Sequence, residues 1–178
     1  MAKSAVIDSD DFFFWLTDHA HELANRDAET TQEAIARCVV FKADVVARDK
    51  TESEGVRECL NYGHTLGHAI ESCAGFGAYS HGACVAEGMR FATRLTQSIA
   101  PEAAEEAVEA FAEAQAELLD ALGLESLDHG LAPEELLAAM KHDKKVRSGE
   151  LRFVLVDDIA SWRVEALPDD LVLAALGG

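Results

Sequence analysis

Arg57-Glu58-Cys59-Leu60-Asn61-Tyr62-Gly63-His64-Thr65-Leu66-Gly67-His68 is the stretch on which the reading of this chain turns. It lies within a predicted helix over residues 56–75, ended by the Gly75-Phe76-Gly77 break. At about 100° per residue, Arg57, Asn61, His64 and His68 fall within about 60° of one another, a single stripe on that helix. The stripe presents a guanidinium, an amide and two imidazoles. A polar stripe is ordinarily a solvated face, and two histidines one turn apart can arise by chance. Here, however, Gly63 and Gly67 occupy the other sides, and each costs roughly 1 kcal/mol in a helix interior. Glycines so placed make sense where another backbone or a ligand approaches closely. The stripe therefore reads as functional.

Outward from it, His81-Gly82 follows at a predicted helix start. Alone, His81 reads as a surface histidine. With His64 one helix away, the imidazoles fit a divalent-metal site, most simply zinc. Two basic features stand out against an acidic background. Lys42 lies among Val39, Val40, Val45 and Val46, where a lysine can bury its stem and keep its ammonium in water. The run Lys141-His142-Asp143-Lys144-Lys145-Val146-Arg147, ahead of Arg152, is a concentrated positive patch. It either balances charge in an exposed loop or holds a phosphate.

The remaining pattern is mainly helical. Helices are predicted over 10–26, with Asp10 or Asp11 as N-cap, and over 29–48, with Thr30 and Glu33 at capping-box spacing. Residues 49–55 read as a loop, 81–98 as a helix, Pro101 to Gly123 as an Ala- and Glu-rich helix, and Pro133 to Met140 as a short one. Only then does the period change. Leu151–Val156 and Trp162–Leu167 read as an antiparallel pair, with the turn in Asp157–Ser161. The fold class is mainly α, one helical domain over 1–178 with a small antiparallel β-hairpin near its C-terminus.

Composition bounds the function. The 178 residues are 49% hydrophobic, enough for a buried core. Fifteen Lys and Arg face 33 Asp and Glu, a net charge of −18. Such a surface repels nucleic-acid backbones and anionic membranes, but admits a small anion where the few cations converge. No apolar run reaches the roughly 20 residues of a membrane span. Asp8, Asp10 and Asp11 interrupt the start before any signal-peptide core develops. Cys38, Cys59, Cys73 and Cys84 lack C-x-x-C spacing and read as reduced thiols of a cytoplasmic protein.

Asn61-Tyr-Gly-His-Thr-Leu-Gly-His-Ala-Ile-Glu71 resembles the signature of the 3-dehydroquinate synthase family and its sugar-phosphate cyclase relatives. Ala2-Lys-Ser-Ala-Val-Ile-Asp-Ser-Asp-Asp-Phe-Phe13 is similar to the opening of that family's C-terminal domain. His81-Gly-Ala-Cys-Val-Ala-Glu-Gly-Met89 is similar to its second histidine motif, and Asp143–Leu155 to its late loop and strand. The resemblance is collinear over nearly the whole chain and leaves out the family's N-terminal NAD-binding half. It implies that His64 and His81 ligate Zn2+ or Co2+, and that His68 takes part in proton transfer. It implies that Lys42 and Arg57 hold a substrate carboxylate, while Lys3, Asn61 and Lys145, or its neighbour Lys144, bind the substrate phosphate. An acidic residue before the arginine acts as a base, Glu52 or its competitor Glu54.

The implied reaction converts 3-deoxy-arabino-heptulosonate 7-phosphate to 3-dehydroquinate and phosphate, with NAD held mainly by the other half and a homodimer as the assembled form. Two departures stand out within the compared half. The family's third ligand, a glutamate, precedes the lysine matched by Lys3 and falls before Met1. Ala83 stands where an acidic residue is common, with Glu87 as a substitute nearby. The isolated chain is accordingly expected to be inactive. Alternatives are another sugar-phosphate cyclase such as 2-deoxy-scyllo-inosose synthase, an iron-dependent alcohol dehydrogenase, or a catalytically silent helical assembly domain.

Overall fold

Ser9, Asp27 and Ser80 decide where three of the helices begin. The structure is a computed structural model describing residues 1–51, 53–75, 77–144 and 151–177. Ser9 Oγ accepts the Phe12 N–H at 3.3 Å and opens helix α2 (Asp10–Asp18). The Asp27 carboxylate accepts the Thr30 N–H at 2.9 Å and starts α4 (Ala28–Arg48). Ser80 Oγ accepts the Ala83 N–H at 3.2 Å and starts α6 (His81–Ile99). Each side-chain oxygen satisfies an amide that the first helical turn leaves without a partner.

Two expected caps are thereby corrected. Asp10 and Asp11 lie inside α2, and Thr30 is the residue capped rather than the cap, because Asp27 reaches its amide first. Glu33 does not close a capping box; it pairs with Arg37 one turn on, at 2.9 Å. The helix predicted over 10–26 is two, α2 and the short α3 (Ala20–Ala24). Its break falls at His19, whose ring Nδ1 bonds to the Trp15 carbonyl at 2.8 Å and competes with the helical ladder. Before α2, residues Ala2–Asp8 form α1, which periodicity alone does not signal.

The larger correction is at 56–75. Val56–Asn61 is a 3-10 turn, and the α-helix, α5, covers only His64–Ala74. Gly63 sits between them at φ +74°, a left-handed conformation that no α-helix contains.

Further along, Glu102–Ala104 makes a 3-10 turn before α7 (Glu105–Ala121), and α8 (Pro133–Lys144) runs a turn longer than expected. Strands β1 (Arg152–Asp158) and β2 (Ser161–Ala166) pair antiparallel, Val154 opposite Val164 and Val156 opposite Trp162. A final helix, α9 (Asp169–Leu176), closes the chain; Arg94 Nε donates to its Ala175 carbonyl at 3.3 Å.

Apolar packing divides into two clusters with a shared wall. Val85, Ala86, Met89 and Ala92 of α6 face one, with Phe12, Phe13 and Tyr62. Cys84, Phe91 and Leu95 of the same helix face the other, with Leu66, Ile70 and Val172. Strand β1 divides in the same way: Val154 and Val156 point to the first cluster, Phe153 and Leu155 to the second. That two-sided burial explains why β1 reads as an apolar run rather than an alternation. Each fully buried Leu or Phe contributes about 1.5–3 kcal/mol. Cys59 and Cys84 are buried, Cys38 and Cys73 half-buried, and all four are free thiols. Among the described residues, no helix is long and apolar enough to cross a membrane.

Candidate metal centre and anion groove

The site depends on how closely α5 crosses α6. A Cβ on Gly88 would lie 1.8 Å from the Gly63 carbonyl oxygen, and one on Gly63 would lie 2.5 Å from the Val85 carbonyl oxygen. A Cβ on Gly67 would meet the Cys84 carbonyl oxygen at 3.1 Å. Gly63 and Gly67 are thus explained by a neighbouring backbone, that of α6. The crossing brings the first residue of α5, His64, beside the first residue of α6, His81.

Three imidazoles meet there. Ring centroids lie 5.4 Å apart for His64 and His68, 5.4 Å for His64 and His81, and 6.0 Å for His68 and His81. In two of them one ring nitrogen is already engaged. His64 Nδ1 lies 2.9 Å from the Tyr62 carbonyl oxygen, which can only accept, so Nδ1 carries the proton and Nε2 keeps its lone pair. His81 Nδ1 faces the Glu71 carboxylate at 3.1 and 3.2 Å, and the same logic leaves its Nε2 as the donor. Burial pulls the His64 pKa down to about 4; the Tyr62 carbonyl opposes this, while Lys3, His68 and His81 add to it. His64 is therefore neutral at physiological pH, the form that ligates a metal.

Tyr62 is itself fixed. Fully buried, it donates from its hydroxyl to Gln115 Oε1 at 2.6 Å, and Gln115 in turn donates to Thr93 Oγ1 at 2.8 Å. The carbonyl that sets the His64 tautomer thus belongs to a residue tied to both α6 and α7.

His64 also borders a groove of about 530 Å3 lined by Lys3, Ser4, Cys38, Lys42 and Leu60 among others. Two ammonium groups and an imidazole converge there, in a chain of net charge −18. Lys3 Nζ donates to the Leu60 carbonyl at 2.5 Å. Burial lowers the Lys3 pKa, the Cys59 thiol opposes this, and Lys42 lowers it further. A cleft of about 620 Å3 elsewhere, beside Leu23, Ile35, Leu122 and Leu124, is lined mainly by apolar side chains. The His64 groove is also partly apolar, with Ile35, Val39 and Leu60 in its lining, and is set apart by its two lysines and the histidine.

Lys42 reaches it differently from expected. Val45 is buried and Val46 half-buried, but Val39 and Val40 are 61% and 70% exposed, so Lys42, itself exposed, lies at the open side of α4. The stripe is also redrawn. Arg57 and Asn61 belong to the 3-10 turn, while His64 and His68 belong to α5, so one helix does not carry all four. Arg57 and Asn61 are not among the residues lining the groove. Glu87 is no stand-in for the acidic residue that Ala83 replaces: it is buried, accepting from Ser126 Oγ at 3.1 Å and Leu127 N–H at 3.3 Å, with Arg94 alongside. Glu54 is exposed on the 49–57 loop. Glu52 and Lys145 lie outside the described residues, as does the Lys144 side chain. Of the basic run, Lys141 pairs with Asp169.

Two residues escaped the sequence reading. Asp49 is 1% exposed and accepts the N–H groups of Ser53 at 2.9 Å, Glu54 at 3.2 Å and Arg57 at 3.2 Å. Burial pushes its carboxyl up, but the three amides outweigh that and hold it below the usual carboxylate range. It therefore shapes the loop that ends in Arg57. Glu71 is the other, and its signal was available: it continues the His64, His68 row at the next helical turn.

Comparison with known proteins gives the family. The family described as 3-dehydroquinate synthase C-terminal matches residues 1–146. The 3-dehydroquinate synthase of Rhodopirellula baltica is 42% identical over 175 residues, covering 98% of this chain and 45% of that protein. That of Citrifermentans bemidjiense is 42% identical over 167 residues, 93% of this chain and 44% of its own. One from Neisseria meningitidis is 39% identical over 162 residues, 91% and 44% respectively. The chain thus spans less than half the length of these curated relatives.

Two solved structures share the fold. The 2-epi-5-epi-valiolone synthase of Streptomyces hygroscopicus, with NAD+ and Zn2+ bound, superposes with TM-score 0.79 at 20% identity over 98% of this chain and 47% of its own. A 2-deoxy-scyllo-inosose synthase complexed with carbaglucose-6-phosphate, NAD+ and Co2+ gives 0.79 at 22% identity, over 98% and 48%. At such identities the likeness concerns the fold alone. Sequence carries the closer relation: this chain belongs to the 3-dehydroquinate synthase C-terminal family.

Proposed function

We propose that this chain is the metal- and substrate-binding domain of a 3-dehydroquinate synthase. Joined to an NAD-binding half, it would convert 3-deoxy-arabino-heptulosonate 7-phosphate to 3-dehydroquinate and phosphate. The observation that carries the reading is the pair His64 and His81, each with Nδ1 engaged and Nε2 left as donor, beside a groove lined by Lys3 and Lys42. The two rings lie 5.4 Å apart at the facing starts of α5 and α6. When bound, zinc or cobalt supplies a Lewis acid for substrate oxygens.

The chain's own residues supply the rest. Lys42 and Arg57 hold the substrate carboxylate, and Lys3 and Asn61, with Lys145, its phosphate; cations matched to each anionic end orient the molecule. His68 moves a proton near the phosphate, and Glu52 is the base of the 49–57 loop. Single-domain organisation over 1–178, NAD held by a further half and a homodimeric complete enzyme belong to the same reading.

Phosphate release with substrate, NAD and zinc tests it. The isolated chain gives no turnover, because hydride transfer needs a cofactor site that these residues do not supply; the chain joined to an NAD-binding half does. In that joined enzyme Arg57→Ala lowers kcat/KM about ten- to a hundredfold, the loss of a charge-assisted contact of roughly 1.5–3 kcal/mol. A joined, folded enzyme inert toward the heptulosonate phosphate overturns the reading.

A further inference from the structure

Glu71 has no role in the proposed chemistry, yet it is placed to control it. Its carboxylate lies on α5, seven residues after His64, and reaches across to the first residue of α6. Both oxygens approach His81 Nδ1, at 3.1 and 3.2 Å. The two side chains differ in surroundings: that of His81 is 56% exposed, that of Glu71 only 17%. An imidazole so exposed at a helix start has several rotamers and two tautomers open to it. A half-buried carboxylate on the neighbouring helix selects one of each.

We infer that Glu71 is the positioning residue of the metal site: by accepting the Nδ1 proton of His81 it fixes Nε2 as the nitrogen presented to the ion. The inference rests on the proposed metal role of His64 and His81. It gives the two histidines one design, since His64 is held through Nδ1 by the Tyr62 carbonyl and His81 through Nδ1 by Glu71.

A competing geometry uses the same residues. Ligand atoms of His68, Glu71 and His81 lie within 4.8 Å of one another, close enough for Glu71 to be a ligand itself. That arrangement turns a Glu71 oxygen away from His81 toward the ion and leaves out His64, whose ring is already held through Nδ1 by the Tyr62 carbonyl. The positioning role keeps every bond now formed.

Three proteins separate the two: wild type, Glu71→Gln and Glu71→Ala. In the metal-free chain at about pH 8, above the ordinary imidazole range, nitrogen NMR of His81 is expected to show the Nδ1–H tautomer in wild type and in Glu71→Gln, whose amide oxygen still accepts. Glu71→Ala shifts the ring toward Nε2–H. Calorimetric titration with Zn2+ then loses about ten- to a hundredfold in affinity for Glu71→Ala, and clearly less for Glu71→Gln. Equal losses in both variants, with a Co2+ absorption spectrum changed as by a missing ligand, overturn the inference in favour of direct coordination. An unaltered His81 tautomer in Glu71→Ala overturns it outright. A wild-type chain that takes up no Zn2+ defeats the metal reading instead, while the tautomer measurement still decides what Glu71 does.

Discussion

Gly55 and Gly63 have the same backbone conformation, φ +75° and +74°, and flank the same short turn, but they do different work. A Cβ on Gly55 would touch only Glu58 Oε1, at 3.5 Å, an ordinary contact. A Cβ on Gly63 would run into Val85 O at 2.5 Å and Met89 N at 2.9 Å. The first glycine satisfies a local bend in the loop that carries Arg57. The second does that and also lets two helices touch, which is what brings His64 to His81. One end of the site is therefore set by loop conformation and the other by interlocked backbone.

If that contrast is right, the same substitution gives unequal losses. Gly63→Ala combines left-handed strain with a backbone clash and costs about 3 kcal/mol or more by urea denaturation. Gly55→Ala carries the strain alone, about 1–2 kcal/mol. Equal losses would mean that α5 and α6 can separate freely, and would break the comparison.

The smallest effect sharpens it from the loop side, through Asp49. Its carboxyl is held below the usual range in the fold, so it contributes stability above about pH 4 and loses it as pH falls further, through its folded value. Asp49→Asn has no such proton to gain. Between about pH 5 and pH 3 the wild-type urea midpoint is expected to fall more steeply than that of the variant. Parallel slopes would show that the three amides do not hold the charge.

These residues also mark what could be read from the sequence. The hairpin, α6 and α7 are legible because their boundaries are local: Ser80, Pro101 and Gly123 punctuate the chain where the structure turns. The histidine trio is legible from its spacing and from the glycines beside it. The Arg57 stripe is misread because a helical wheel assumes one φ throughout, and Gly63 departs from it. α1 is too short to show a period; it is fixed by burial of Ala5 and Val6, both 0% exposed, against distant residues. Asp49 acts on loop amides that no sequence pattern names, whereas Glu71 is marked by its place in the His64, His68 row though its partner on α6 is not.

The wall formed by α6 and β1 has a consequence for how the molecule comes apart. Met89 and Phe91 sit two residues apart on one helix, yet one belongs to the first apolar cluster and the other to the second. Val154 and Leu155 repeat the arrangement on the strand. Neither cluster can melt and leave its neighbour intact, because each would take half of the shared wall with it. The two behave as one cooperative unit, and its last parts to open under native conditions are those in the wall. His81 stands one turn ahead of that wall, so the histidine pair is tied to it through α6.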